Sequence, residues 1–285
     1  MLAGPGLLPA CRQEQPWHAP GWRPAEPPRR IVAASVLATE VLLAIAPRER
    51  LAGVHVLAVD PRYSLVVAAA QGLPLVGAEP EQLLAAAPDL VICDAFTRPE
   101  TLALLSAAAV PVVQTTTPSS FADIADNVRS IGRLCHLEAA ADTVVLAMEA
   151  RLRTLAARAP EVAAWRVASL DGALHTYGRG SLFDALVRAA GATNLAAERG
   201  VGPFRKLDLE AVLAWQPHAL VLGGAAGDDA PVPAWLAQNP GLSLLDCVRQ
   251  ARLVRIPGPL LGTTSHHLVD AVALLQEQLL RWGRP

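Results

Sequence analysis

Aromatic residues are scarce in this chain, making up 4% of its 285 positions, and charged residues account for only 18%. With 24 Lys and Arg against 26 Asp and Glu the formal net charge is -2, so no bulk field draws the chain to nucleic acid or to anionic lipid. A small ligand or a protein partner fits that balance better. Four cysteines, Cys11, Cys93, Cys135 and Cys247, stand far apart with no CxxC pair, which excludes a zinc knuckle and a redox dithiol. Cys93, inside the apolar run LVIC, reads as a small buried hydrophobe. No stretch approaches the roughly 20 consecutive apolar residues that a membrane-spanning helix needs. Nor is there a GxSxG elbow, a P-loop, an HExxH or a cluster of three or four His, Asp and Glu, so neither catalysis nor a bare-ion site is signalled.

What is present is a core: 52% of the residues are hydrophobic, enough for two compact units. The start of the chain stands apart from it. Leu8-Pro9-Ala10-Cys11 resembles the lipobox at which bacterial lipoproteins are lipidated on cysteine, although no Lys or Arg precedes the short apolar part. An in-frame segment upstream of Met1 would reconcile the two. The alternative is a chance cysteine in a floppy terminus. Residues 12–30, with five prolines among charged residues, read as linker, so residues 1–30 are expected to form a flexible tether and folding to begin at Ile31.

From there short apolar runs alternate with helix-length segments. IVAAS, VHVLAV, DLVICD and PVVQT form one series, and WRVASL, ALVLGG and RLVRIP form a second that ends in a helix from about residue 265. Strands regularly interleaved with helices imply parallel sheets with crossover helices. Between the series, Val144, Met148, Leu152 and Leu155 share one helical face, and Glu149 with Arg153 makes an i,i+4 pair. The expected architecture is therefore α/β, with a lobe over 31–119, a connecting helical segment over 120–161, a second lobe over 162–285, and a ligand cleft between the lobes. The connecting segment should act as one stiff strut.

The halves also echo one another. Glu81 is followed seven positions later by Pro88 and a buried strand, and Glu210 by Pro217 and another. Proline stops each helix, because it lacks a donor and restricts the residue before it. A carboxylate in a first helical turn is favoured by the macrodipole, which alone would explain either glutamate. Two at equivalent places suggest a paired use.

Taken in order, RIVAASVLATEVLLAIAPRERLAGVH, GLPLVGAEPEQLLAAAPDLVI, TYGRGSLFDALVRAAGATNLAA, LDLEAVLAWQPHALVLG and NPGLSLLDCVRQARLVRIPGPLL make the chain from about Arg30 to Leu280 resemble a known class. That class is the substrate-binding proteins of cobalamin, iron-siderophore and haem ABC importers. The resemblance implies two Rossmann-like α/β lobes joined by a single long helix, no enzymatic activity, and delivery of a metal chelate or corrinoid to an ABC transporter permease dimer. It implies a place in the periplasm or on the outer face of the cytoplasmic membrane, with membrane contact only through a lipid anchor at Cys11. One glutamate per lobe docks into arginine-lined permease pockets in that family, and the matching residues are Glu81 and Glu210.

In open α/β sheets ligands lie beyond the carboxyl ends of the strands. That rule selects the aromatic residues Tyr63, Phe96, Tyr177 and Phe204, which can stack on a corrin, porphyrin or aromatic chelate. It also selects Arg179 and Arg205, which can meet carboxylates, and His175 and His266. Phe96 and Phe204 could equally be lobe core. The ligand is expected to be a ferric siderophore, cobalamin or haem, with no resident cofactor or metal. Haem-binding members carry a tyrosine near the position of Ala78 to Pro80, and this chain has none there, which weakens the haem reading. Two other functions remain open: a chelatase-like tetrapyrrole enzyme using His175 with Asp171, and a cytosolic metal-chelate carrier.

Overall fold

The computed structural model describes residues 21–224 and 232–285. Two parallel sheets form the body. The first has the order β3-β2-β1-β4-β5, built from β1 (Ile31–Ala33), β2 (Leu51–His55), β3 (Leu75–Val76), β4 (Leu90–Cys93) and β5 (Val112–Gln114). The second has the order β11-β10-β6-β8, built from β6 (Arg166–Ser169), β8 (Thr193–Asn194), β10 (Ala219–Gly224) and β11 (Leu253–Pro257). A separate antiparallel ribbon pairs β7 (His175–Thr176) with β9 (Arg205–Lys206). Helices cover both sheet faces, so the central strands are buried over most of their length and read as unbroken apolar runs such as LVIC and ALVL. Chain order reverses beside β1 in the first sheet and beside β6 in the second, the places where α/β folds open a crevice.

The connecting segment is two helices, Phe121–Leu134 and Glu138–Ala156, separated by a corner at Cys135 to Leu137 where His136 has φ 55°. Ser120 caps the first, accepting the Asp123 N–H at 3.1 Å. A methyl group added at Gly132 would sit 2.4 Å from Ala141 Cβ, so glycine is what lets these helices approach. Met148 is buried, and Val144, Leu152 and Leu155 pack against the same core, as their spacing predicts. The expected Glu149–Arg153 pair gives way to a cross-helix one. Arg129 lies 3.6 Å from Glu149 and 3.2 Å from Asp142, because the antiparallel neighbour offers a cation closer than the next turn does.

Residues 21–30, expected to belong to a flexible tether, are docked. Arg133 donates to the carbonyls of Gly21 at 2.8 Å and Trp22 at 2.7 Å, Arg23 pairs with Glu138 at 3.0 Å, and Trp22 packs on the core. Asp89 accepts the N–H groups of Arg29 and Arg30 at 2.6 and 2.9 Å. Proline denies the segment a secondary structure of its own but leaves its carbonyls free to accept, and side chains of the helical corner take them. Cys11 lies outside the described residues. Burial raises the thiol pKa of Cys93 to about 11 and those of Cys135 and Cys247 to about 12, so all three are inert thiols. Among the described residues no helix is long and apolar enough to cross a membrane.

Candidate functional site

The second lobe carries the most developed site. Beyond the carboxyl end of β6 the chain turns through Asp171 and Leu174, the latter with φ 65°, and returns as β7. Ser169, the last residue of β6, fastens that return: its Oγ accepts the Tyr177 N–H at 3.0 Å and lies 3.3 Å from Thr176 Oγ1. The ribbon register pairs His175 with Lys206 and Thr176 with Arg205. Because directly opposed residues share a face and neighbours alternate, His175, Tyr177, Phe204 and Lys206 project together. The rings confirm the parity: Phe204 stacks on His175 at 4.9 Å between centroids and lies 5.3 Å from Tyr177. Phe204 remains 56% exposed and Tyr177 45%, so the cluster is a platform open to solvent.

Asp171 orients the histidine. Its carboxylate accepts the N–H groups of Ala173 and His175, both at 2.9 Å, and lies 3.0 Å from His175 Nδ1. Burial pushes the Asp171 pKa up, but these hydrogen bonds outweigh it and hold the carboxyl below its ordinary value. A carboxylate can only accept, so Nδ1 carries a hydrogen; in the neutral tautomer that this contact favours the lone pair lies on Nε2, the arrangement that prepares an imidazole to ligate a metal. Gly178 makes the neighbouring strands' approach possible, since a Cβ there would meet Val201 O at 2.3 Å. Arg179 leaves this face. It lines a 480 Å³ depression on the flank of the lobe with Asp184, Arg188 and Asn194.

In the first lobe, Tyr63 is half exposed with the Arg62 guanidinium 5.5 Å from its ring centroid, and Arg62 pairs with Asp60 at 2.6 Å. The Arg62 hydrogen bonds lower the pKa of Asp60. Phe96 is 81% exposed beyond β4, which disposes of the lobe-core reading for it. Asp94 holds that turn, accepting the Phe96 N–H at 3.0 Å. His55, which sequence reasoning passed over, ends β2; burial lowers its pKa while the nearby Asp94 charge raises it. Its signal was a polar residue set inside the apolar run VHVLAV. No ring contact joins Tyr63 or Phe96 to the second-lobe platform among the described residues.

Between the lobes lies a polar seam. Glu40, 1% exposed in helix Val36–Ile45, accepts hydroxyl hydrogens from Thr263 at 2.8 Å and Ser265 at 2.6 Å, over 223 and 225 residues of sequence, and the Leu65 N–H at 3.3 Å. His266 follows directly. Its Nδ1 is buried with no partner among the described residues, and desolvation, aided by the His267 ring at 4.1 Å, lowers its pKa to about 4. Among the described residues no three His, Cys, Asp or Glu side chains gather as a metal site requires.

Glu81 and Glu210 occupy the same position in two short helices, Pro80–Ala85 and Leu209–Trp215, each in the first turn and exposed. Both helices run down from the carboxyl ends of the strands. Each is followed by a left-handed residue, Ala87 at φ 46° and Gln216 at φ 42°, then proline and a buried strand. The acidic neighbours are engaged: Arg98 lies 2.7 Å from Glu79, and Asp208 accepts the Ala211 N–H at 2.7 Å. Glu81 and Glu210 themselves make no hydrogen bond or ion pair among the described residues.

Two parallel-sheet lobes joined across a polar seam, with an aromatic platform beyond the strand ends of the second, define a two-lobed α/β binding protein. Residues 31–260 match the periplasmic binding protein family, and the chain belongs to that family. It is similar to a cobalamin-binding protein of Halobacterium salinarum, 26% identical over 221 residues, a match covering 74% of this chain and 58% of that relative. The chain thus spans little more than half the length of this curated relative. Its fold matches periplasmic heme-binding protein RhuT from Roseiflexus sp. RS-1 with a TM-score of 0.75, 26% identity and coverage of 88% of this chain and 99% of the other. Vitamin B12 binding protein BtuF of Vibrio cholerae matches with a TM-score of 0.71, 21% identity and coverage of 90% and 98%.

Proposed function

We propose that this chain is the extracytoplasmic binding component of an ABC importer and that it carries an intact metal chelate or corrinoid. The observation that supports this most is the platform of His175, Tyr177 and Phe204, with Asp171 holding the His175 ring through Nδ1. Stacked rings take a flat or macrocyclic ligand, and the imidazole offers one bond to a metal already held by its own chelator. The family and the solved likenesses, which include cobalamin- and heme-binding proteins, point the same way. Thermal shift with cobalamin, ferric protoporphyrin IX and ferric siderophores tests the reading, because a tight ligand raises Tm by mass action. Stoichiometric binding of a free divalent ion with no response to any chelate would refute it.

Delivery would use Glu81 and Glu210. Each is exposed in the first turn of its short helix and unpaired among the described residues, while the acidic neighbours are occupied, which suits it to meet a permease guanidinium. Two equivalent carboxylates suit a permease of two matching subunits. Glu81→Arg with Glu210→Arg should abolish transport and leave ligand affinity intact. Loss of affinity would place these residues in the binding site or the fold.

A further inference from the structure

We infer that the ligand of the platform is an acidic chelate, and that Lys206 is the residue that selects it. The inference rests on the platform being the binding site. Lys206 is the single lysine of the chain. Its register opposite His175 puts the ammonium on the face that bears the three rings. The two cations that sequence reasoning selected are not on that face. Arg205 sits opposite Thr176, a fully buried residue of the ribbon's other side, and Arg179 lines the flank depression.

Several other charged groups near the strand ends are already engaged within the chain. Arg62 answers Asp60 and Arg98 answers Glu79, while the Asp171 carboxylate is taken up by the N–H groups of Ala173 and His175. Asp208, two residues on from Lys206, is spent on capping the helix that begins at Leu209. Lys206 is exposed and makes no side-chain hydrogen bond or ion pair among the described residues. A flat ligand seated on the rings would cover this ammonium and strip water from it. An uncharged ligand offers no compensation and is penalised, whereas a peripheral carboxylate or phenolate recovers the lost hydration as a charge-assisted hydrogen bond. One isolated cation beside an apolar stacking surface therefore discriminates between chelates of similar shape by the charge of their rim.

Two matched pairs of probes test this: ferric protoporphyrin IX against its dimethyl ester, and a ferric tris-catecholate against a neutral ferric tris-hydroxamate. Affinities are measured at low and at high salt for the wild type and for Lys206→Gln, Lys206→Arg and Arg205→Gln. In any pair that binds, the acidic member should bind about tenfold tighter at low salt, and high salt should narrow that preference. Lys206→Gln should remove most of the preference, while Lys206→Arg and Arg205→Gln retain it. Equal or tighter binding of the uncharged member, or a preference that survives Lys206→Gln, overturns the inference and leaves the chelate-binding reading standing. Failure of all four probes and of cobalamin to bind removes that reading and this inference together.

Discussion

Replacing Glu40 by alanine should loosen the union of the two lobes measurably. The Glu40 carboxylate is 1% exposed, and its two hydroxyl donors are also buried, Thr263 at 7% and Ser265 at 1%. Alanine removes two charge-assisted hydrogen bonds, at 2.8 and 2.6 Å, and leaves both hydroxyls and the Leu65 N–H without that acceptor. At about 1.5–3 kcal/mol for each of the two hydrogen bonds to a charged group, the expected loss is roughly 3–6 kcal/mol. That is a large part of a typical domain's stability. Glu40→Gln should cost less, about 1–3 kcal/mol, since the amide oxygen can serve both hydroxyls while its NH2 faces the Leu65 donor. Urea unfolding with a common m value gives the single-variant costs. A double-mutant cycle of Glu40→Ala against Thr263→Val with Ser265→Ala isolates the cross-lobe part, which should exceed about 1 kcal/mol. A coupling indistinguishable from zero would mean that the contact contributes nothing to holding the lobes, and the reasoning fails.

Stability should fall as pH drops through the window between 6.5 and about 4, because His266 is neutral in the fold down to about 4 while the unfolded chain takes up a proton from 6.5 downward. His55 and His218, both lowered by burial, act in the same direction, and His266→Asn should flatten the slope of a pH series of urea midpoints. Gly132→Ala drives a methyl group to within 2.4 Å of Ala141 Cβ and should cost about 1–3 kcal/mol with the ligand site untouched, read as a Tm drop at unchanged affinity. Phe204→Ala, at an exposed position that stacks on two rings, should leave Tm nearly unchanged and weaken chelate binding at least about tenfold; unchanged binding would exclude the platform from the site.

The strands that span the middle of each sheet were legible because burial on both faces writes them as apolar runs; ALVLGG was read at the bounds β10 occupies, and DLVICD held β4. VHVLAV misled. β2 starts at Leu51 to align with Ile31 and ends at His55, and the remaining apolar residues, 56–59, form a 3-10 turn whose first N–H groups need an acceptor, which His55 Nδ1 supplies to Leu57. The ribbon of β7 and β9 left no trace, since two-residue strands are set by tertiary pairing and by the close approach at Gly178, not by hydrophobic period. That omission decided which cation was chosen. In sequence Arg205 and Lys206 are adjacent and equivalent, and only the register separates the face that carries the rings from the one against β6. The paired glutamates were legible because the whole element repeats, helix start, left-handed residue, proline and strand, although the left-handed geometry before each proline was not anticipated.

A shared core bears on how such a molecule responds to its ligand. Ile31, Leu42 and Ile92 of the first sheet and its helix, Ile131 and Met148 of the connecting helices, and Val167, Leu186 and Leu275 of the second lobe all belong to one contiguous buried cluster. Swinging the lobes apart would therefore expose apolar surface at about 25 cal/mol per Å² as well as break the Glu40 contacts. Ligand binding can spend only its differential affinity on such a change, so a large hinge motion is disfavoured and adjustment falls to the strand-end turns. Those turns, unlike the sheets, are held mainly by local side-chain acceptors, Asp171 and Ser169 in one and Asp94 in the other. Hydrogen exchange with and without bound chelate should accordingly change at 171–178 and 94–97, while the amides of β1, β4, β6 and β10 keep their protection. Protection changes spreading through those central strands would show that the lobes do rotate against one another, and that the common core yields more readily than its burial implies.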